Sequence, residues 1–263
     1  MPASARHRVV SRLTTRPPRV VPRTTAHPLS PSELGEAEAA IANSFLSGLD
    51  DTETAALLDE VILVSAHAGT VLYRATDVLS QVAILMDGLA RTFVSSTDGR
   101  QLTLLYGRPG AAVAISSLGG ERQPPLGVQA LTDVKVLEFP AATLRRLAIG
   151  NPTVALGISL ELQRLILDGV EALAILTFGS IRELLAWHLL TLSTLGDERA
   201  MTVAMTQQDL ASTVGSVREV VARALKSLRE AGAISVAGGE ITVVDRTALT
   251  EIAHGWRRAI DTG

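Results

Sequence analysis

The chain has 263 residues, 47% of them hydrophobic, with 24 basic and 27 acidic side chains, a net charge of −3 and no cysteine. That length accommodates two domains and a substantial core, while the missing thiols exclude disulfides, iron–sulfur clusters and thiol redox chemistry and suit a reducing cytoplasm. Aromatics make up only 3%, so the core must be aliphatic, and no uncharged apolar run is long enough to predict a membrane span.

Residues 1–30 hold six arginines (Arg6, Arg8, Arg12, Arg16, Arg19 and Arg23) and no acid, leaving 18 basic against 27 acidic residues, a net of −9, in the remainder. This Arg, Pro, Ser and Thr mixture lacks periodicity and cannot bury enough apolar surface to order itself, so a disordered arm is expected. An organellar transit peptide and a tail that holds phosphates nonspecifically are the alternatives this composition leaves open.

From Pro31 a first helix is predicted to begin near Ser32, and Asp50-Asp51 opens a second that runs to Leu58, the paired acids serving the helix dipole. Seven short apolar runs come next, at Val61–Val64, Thr70–Tyr73, Val82–Met86, Leu89–Val94, Leu102–Tyr106, Val128–Leu131 and Val134–Phe139. Gly and Pro turns separate them, which predicts an antiparallel β-roll or jelly roll with Gly88 as a turn glycine at positive φ. Pro140 to Ile149 reads as a short helix.

A long helix starts near Pro152 with apolar residues at Leu156, Leu160, Leu162, Leu165, Ile166, Val170, Leu173 and Leu176, on more faces than one packed side uses. Such a helix calls for a partner, and these eight residues are the candidate dimer interface. The boundary to the next unit is placed near Phe178-Gly179, after which Ile181 to Leu192 is expected to pack against the C-terminal unit.

Residues 206–244 carry the densest signal. Thr206 with Asp209 forms a capping-box pattern, Val214-Gly215 breaks the helix, and Ser216 with Glu219 is a second box. In the second helix Val217, Val220, Val221, Ala224, Leu225 and Leu228 form an apolar stripe that leaves Arg218, Glu219, Ala222, Arg223, Lys226 and Arg229 to face outward or flank it. After Ala231-Gly232, two short alternating runs flank Gly238-Gly239, a hairpin signature. Two capped helices joined by a tight turn, with a hairpin after them, make a winged helix-turn-helix with a cationic outer face; a charged solvated helix face is the plain alternative.

With these residues in view, the segment resembles the C-terminal domain of the CRP/FNR family of bacterial transcription regulators, whose recognition helix carries an R-E-x-x-x-R core, here Arg218, Glu219 and Arg223. The resemblance implies that the two arginines contact guanine and Glu219 the cytosine amino group, as major-groove donor and acceptor patterns allow. Val217 and Val220 stand where the resemblance sets hydroxyl residues on phosphate in cyclic-AMP-binding members; Thr206, Gln207, Gln208, Ser216, Val217 and Lys226 complete the candidate DNA-binding set. The stretch AGTVLYRATD…ILMDGLARTFVSSTDGRQLTLLYGRPG is similar to the family's cyclic-nucleotide-binding β-roll, and the central helix to its dimer coiled coil.

The family's phosphate cassette is Gly-Glu on a short helix followed by Arg-Ser or Arg-Thr. Here Ala114-Ile115 and Pro124-Pro125 occupy those places, and Ile166 and Leu167 stand where hydroxyls meet adenine. Ser116, Ser117, Glu121 and Arg122 are the remaining polar candidates for an effector site, against the plainer reading that they decorate a surface turn.

The resemblance implies an α+β regulator with a β-roll sensor domain and its preceding helices at 31–150, a dimerisation helix at 151–178 and a winged helix-turn-helix domain at 179–263, ending in a short helix. Expected partners are double-stranded DNA, a second copy of the chain, RNA polymerase and a small-molecule effector, without cyclic-AMP gating and without a membrane; a cytoplasmic location is expected with them. No catalytic constellation, P-loop or dinucleotide fingerprint is present, so no enzyme is expected. Five scattered histidines offer no metal motif; His67 and His188 are weighed as haem ligands and set aside, leaving no expected cofactor. The competing function is a ligand-binding or protein-interaction module whose helix-turn-helix is vestigial.

Overall fold

A computed structural model describes residues 25–97, 100–120, 124–195, 202–204, 206–238 and 240–257. The chain opens with β1 (Thr25–Pro28), paired antiparallel with β2 (Ile62–Ala66). This strand corrects the expectation of a disordered segment through residue 30: hydrogen bonds to the edge of β2 order four residues that have little surface to bury. The rest of the expected arm, residues 1–24, lies outside the described residues.

Helix α1 (Pro31–Ala42) starts on a capping box of Ser30 and Glu33, and α2 (Asp51–Leu58) on one of Asp50 and Glu53, with Glu53 N donating to Asp50 Oδ1 at 2.8 Å. Next come β3 (Val71–Tyr73), β4 (Gln81–Asp87), β5 (Ala90–Ser95), β6 (Gln101–Gly107), β7 (Ala112–Val113), a 3-10 helix at Ile115–Gly119, β8 (Gly127–Ala130) and β9 (Val134–Pro140). They form two antiparallel sheets, ordered β1-β2-β9-β4-β7 and β3-β8-β5-β6. The β-roll expected from the spacing of the apolar runs is present; two-residue β7 is beyond the reach of a pattern that needs alternation. Gly88 has φ +85°, and a Cβ there would collide with the carbonyl oxygen of Asp133, so it is the turn glycine its position suggests.

Helix α3 (Ala141–Gly150) leads into α4 (Pro152–Phe178), 27 residues capped by Asn151, whose side chain accepts from Thr153 N. Gly157 lets α4 lie directly against the backbone of Phe45. Then come α5 (Ile181–Leu195), β10 (Thr202–Ala204), α6 (Gln207–Thr213), α7 (Arg218–Glu230), β11 (Ile234–Ala237), β12 (Glu240–Val243) and α8 (Arg246–Ala253). Strand β10 is not signalled by the sequence pattern; it joins the hairpin as a third strand, in the order β10-β12-β11.

Buried aliphatics on α5 (Leu184, Leu185, Leu189 and Leu192) meet those of α6 to α8 in one core that also takes in Leu131 of the β-roll and Ile175 of α4. A second core fills the roll beneath α1 to α3. The architecture is therefore α+β, with no helix among the described residues long and apolar enough to cross a membrane.

Candidate DNA-binding face and effector cavity

Helix α6 begins as its sequence demands. Thr206 Oγ1 accepts from Asp209 N at 3.1 Å, and Thr206 N donates back to Asp209 Oδ2 at 3.2 Å. The second start differs from expectation. The N-cap of α7 is Val217, not Ser216, and it offers no side-chain hydrogen bond. Gly215 turns the chain at φ +63° and Ser216 N donates to Ala211 O at 2.9 Å, so Ser216 belongs to the turn and cannot cap the helix.

Val217, with extended backbone and 62% exposed, also leaves the apolar stripe assigned to it, because a residue outside the helix does not follow the 3.6 period. The stripe that packs is Val221, Ala224, Leu225 and Leu228, each long side chain contributing about 1.5–3 kcal/mol by burial. Glu219, Arg223 and Lys226 lie across the helix from it and are exposed, Arg218 is exposed in the first turn at the flank of the stripe, and Thr206 and Gln208 at the start of α6 are exposed as well, with Gln207 and Ser216 half-buried. Lys226 lies 3.8 Å from Glu230, a weak surface pair that leaves its charge accessible. The β11–β12 hairpin turns at Gly238 with φ +61°.

A cavity of about 350 Å³ lies between the roll and α4. Ile166 and Ser116, two of the effector-site candidates, line it together with Leu162, Leu165, Gly169, Leu104, Leu105, Ile115 and Leu126, which the sequence does not single out as a ligand wall. Ser117 is not a ligand group: it is buried and its hydroxyl donates to Gln81 O at 2.8 Å. Leu167 is 60% exposed on α4, outside the cavity. Glu121 and Arg122 lie outside the described residues. At the cassette position Ala114 takes a left-handed conformation, φ 56°, the only non-glycine to do so among the described residues, and Ile115 beside it is buried.

Of the eight candidate dimer residues, Leu156, Leu160, Leu162, Ile166, Val170 and Leu173 are 40–65% exposed. Leu165 and Leu176 instead pack on their own chain, against the roll core and the C-terminal core respectively. They sit on the side of α4 that the roll and α5 cover, a distinction a purely apolar count cannot make.

The joint between roll and helix-turn-helix is absent from the sequence reading. Arg91 on β5 is fully buried, donating to Gln129 Oε1 (2.9 Å), Thr103 Oγ1 (2.8 Å) and Gln101 Oε1 (2.5 Å), with its guanidinium 4.8 Å from the Phe93 ring. Burial pulls its pKa down to about 10, opposed by the nearby Tyr106 and Asp209, so it remains charged at neutral pH. Tyr106 on β6 bonds His188 Nδ1 on α5 at 2.8 Å, and burial, aided by Arg91, holds the imidazole neutral with a pKa of about 3. Leu102 forms a β-bridge to Val214 in the helix-turn-helix turn. The signal in the sequence is an arginine between Ala90 and Phe93, on a strand whose first two residues and Phe93 are buried, beside β6 against which α6 packs. His188 is thus a structural residue, distant in role from the exposed His67. No group of three or more His, Asp or Glu poised to hold a metal occurs among the described residues.

Comparison with known proteins agrees with this geometry. Residues 63–151 match the cyclic nucleotide-binding domain model, and residues 184–252 match that of the Crp-like helix-turn-helix domain. The transcriptional activator protein FnrA of Stutzerimonas stutzeri is 24% identical over 192 residues, covering 71% of this chain and 78% of that protein. The cAMP-activated global transcriptional regulator CRP of Escherichia coli O157:H7 is 27% identical over 164 residues, 60% of this chain and 78% of the relative. A solved CRP/FNR-family transcriptional regulator from Thermus thermophilus superposes with a TM-score of 0.60 at 25% identity, over 73% of this chain and 98% of its own. Two family models in the order β-roll then helix-turn-helix, borne on the matching fold, establish that the chain belongs to the CRP/FNR family of transcription regulators and carries its helix-turn-helix DNA-binding domain.

Proposed function

We propose that the protein acts in the cytoplasm as a homodimeric, sequence-specific regulator that needs no cyclic nucleotide and has no catalytic activity. In this reading residues 31–150 sense, 151–178 dimerise and 179–263 bind DNA. The observation that carries it is α7, which buries Val221, Leu225 and Leu228 while leaving Arg218, Glu219, Arg223 and Lys226 exposed. Two arginines and a carboxylate spaced along a helix match guanine acceptors and a cytosine donor in the major groove. The wing and the start of α6, with Thr206, Gln207, Gln208, Ser216 and Val217, flank that helix where backbone phosphates run.

The exposed face of α4 supports the dimer. Leu156, Leu160, Leu167 and Val170 fall at heptad-like spacings and leave large apolar area in water that a second copy would cover. A two-fold dimer presents two recognition helices and reads a palindrome, with TGTGA-like half-sites expected from the R-E-x-x-x-R core. RNA polymerase is the downstream partner. A gel-shift titration on such a palindrome and on a scrambled duplex tests the reading; equal affinity for both excludes it.

A further inference from the structure

We infer that the cavity between the roll and α4 takes an uncharged, largely apolar small molecule carrying a single neutral hydrogen-bonding head. The inference rests on the proposed sensor reading and names the chemistry of what is sensed. Three observations carry it.

The wall is aliphatic: Leu79, Leu104, Leu105, Val113, Ile115 and Leu126 on the roll side, closed by Leu162, Leu165 and Ile166 from α4. Two small hydroxyls, Thr92 and Ser116, interrupt it, while Tyr73, which also lines it, commits its hydroxyl to Glu138 Oε1 at 2.6 Å. Such a wall leaves any buried ionic group unmatched, whereas an alcohol, ketone or ester oxygen finds a hydroxyl partner.

Charged groups stand only at the rim. Among the described lining residues only Arg74 and Asp77 are ionic, and both are exposed; Asp77 Oδ2 accepts from the backbone N of Arg74 at 2.8 Å. An ionic group buried in the aliphatic interior therefore meets no buried countercharge among the described residues.

The size is small. A space of about 350 Å³ equals roughly a dozen water volumes and fits a molecule of roughly 12–18 non-hydrogen atoms. Occupancy is also placed to be felt elsewhere. Strand β6 lines the cavity with Leu104 and Leu105, yet holds α5 through Tyr106 and the helix-turn-helix through Leu102. The β5–β6 pairing shifts register between Thr92 and Phe93, so one short irregular stretch touches both the ligand space and the DNA-binding unit.

The test is a fluorescence titration of the full-length protein with the uncharged dye N-phenyl-1-naphthylamine, then competition with 1-decanol, decanoate or cyclic AMP. The expected result is saturable binding, one dye per subunit, with a dissociation constant at or below about ten micromolar. Decanol displaces the dye, whereas decanoate and cyclic AMP at the same concentration do not. Ser116→Phe, which fills the space, and Leu126→Gln, which makes its wall polar, each weaken dye binding about tenfold, a loss of roughly 1.4 kcal/mol, while circular dichroism stays native. Absence of saturable binding, displacement by cyclic AMP, or unchanged binding in either folded variant overturns the inference. Gel shift on the same preparations keeps the two readings apart. Dye binding without DNA binding refutes the regulator, and DNA binding without dye binding refutes this ligand class alone.

Discussion

The recognition helix and the effector cavity descend from the same family pattern and have parted company. On α7 the candidate reading side chains Arg218, Glu219 and Arg223 are exposed, while Val221, Leu225 and Leu228 are buried. In the roll a 3-10 helix forms at Ile115–Gly119 after left-handed Ala114, and Ile115, which the family resemblance sets at a ligand-binding position, is buried in the aliphatic core. The difference teaches that a residue at a ligand position of such a fold can instead serve the core, as long as it packs. A DNA-reading face has no such freedom, because exposed side chains contribute nothing to the core and are explained only by what they touch.

The contrast can be broken most sharply at α4, which joins the two regions. Replacing Leu160 and Leu167 together by Glu leaves the single chain intact, since both are more than half exposed in it. In a dimer it desolvates charges across the seam, at a cost of about 3–5 kcal/mol. Light scattering is expected to show dimers for the natural sequence at micromolar concentration and monomers for the double variant, with specific DNA binding lost. A natural chain that is already monomeric removes the architecture.

Cyclic nucleotides probe the cavity side. Without an arginine against the phosphate, a micromolar site weakens to millimolar, about 4 kcal/mol. Calorimetry of the dimer with cyclic AMP and cyclic GMP is expected to show no binding in the micromolar range. A dissociation constant at or below about ten micromolar, abolished by Arg122→Ala, would make Arg122 the clamp and restore the family's ligand.

The joint between the regions has its own pH signature. His188 is held neutral in the fold, with a pKa of about 3 against 6.5 when exposed. Between those values the unfolded chain binds the proton and the folded one does not, so this residue lowers stability as the pH falls below 6.5 and has no effect above it. Its contribution changes by about 1.4 kcal/mol per pH unit in that window. Denaturant melts of the natural chain and His188→Gln across pH 4–7 isolate it; parallel pH profiles would show that burial does not hold the imidazole neutral.

On the reading face, Arg218→Ala and Arg223→Ala are each expected to cost about 1–3 kcal/mol and to relax preference at one base position. Equal losses on specific and random DNA would mean that these arginines touch only phosphate. Lys226→Ala is the smallest change, weakening all duplexes alike and lowering the salt slope by about one.

Much of the fold is legible in the sequence because it is local. The Thr206–Asp209 box, the positive φ of Gly88 and the apolar runs of the roll each depend on residues within a few positions of one another. Short edge strands are not: β1, β7 and β10 exist because a neighbouring strand offers hydrogen bonds, which composition does not announce. The expected cap at Ser216 is off by one residue, since its box pattern with Glu219 is satisfied on paper while the turn at Gly215 uses Ser216 otherwise. The apolar count on α4 identifies the exposed face but does not separate Leu165 and Leu176, which their own chain covers. The Arg91–Tyr106–His188 joint depends on partners up to 82 positions apart and leaves only an arginine among apolar neighbours as its trace. Ala114-Ile115 and Pro124-Pro125 stand in plain view in the sequence, yet the cavity wall, drawn from β6, Leu126, Val128 of β8 and α4, becomes visible only when folded together.

The most direct test of the account is selection of bound duplexes from a random library by the purified full-length protein, in parallel without nucleotide and with cyclic AMP. The account predicts enrichment of a two-fold symmetric site, its half-sites about one helical turn apart, identical in both selections. No symmetric enrichment, or enrichment only in the presence of cyclic AMP, would contradict it.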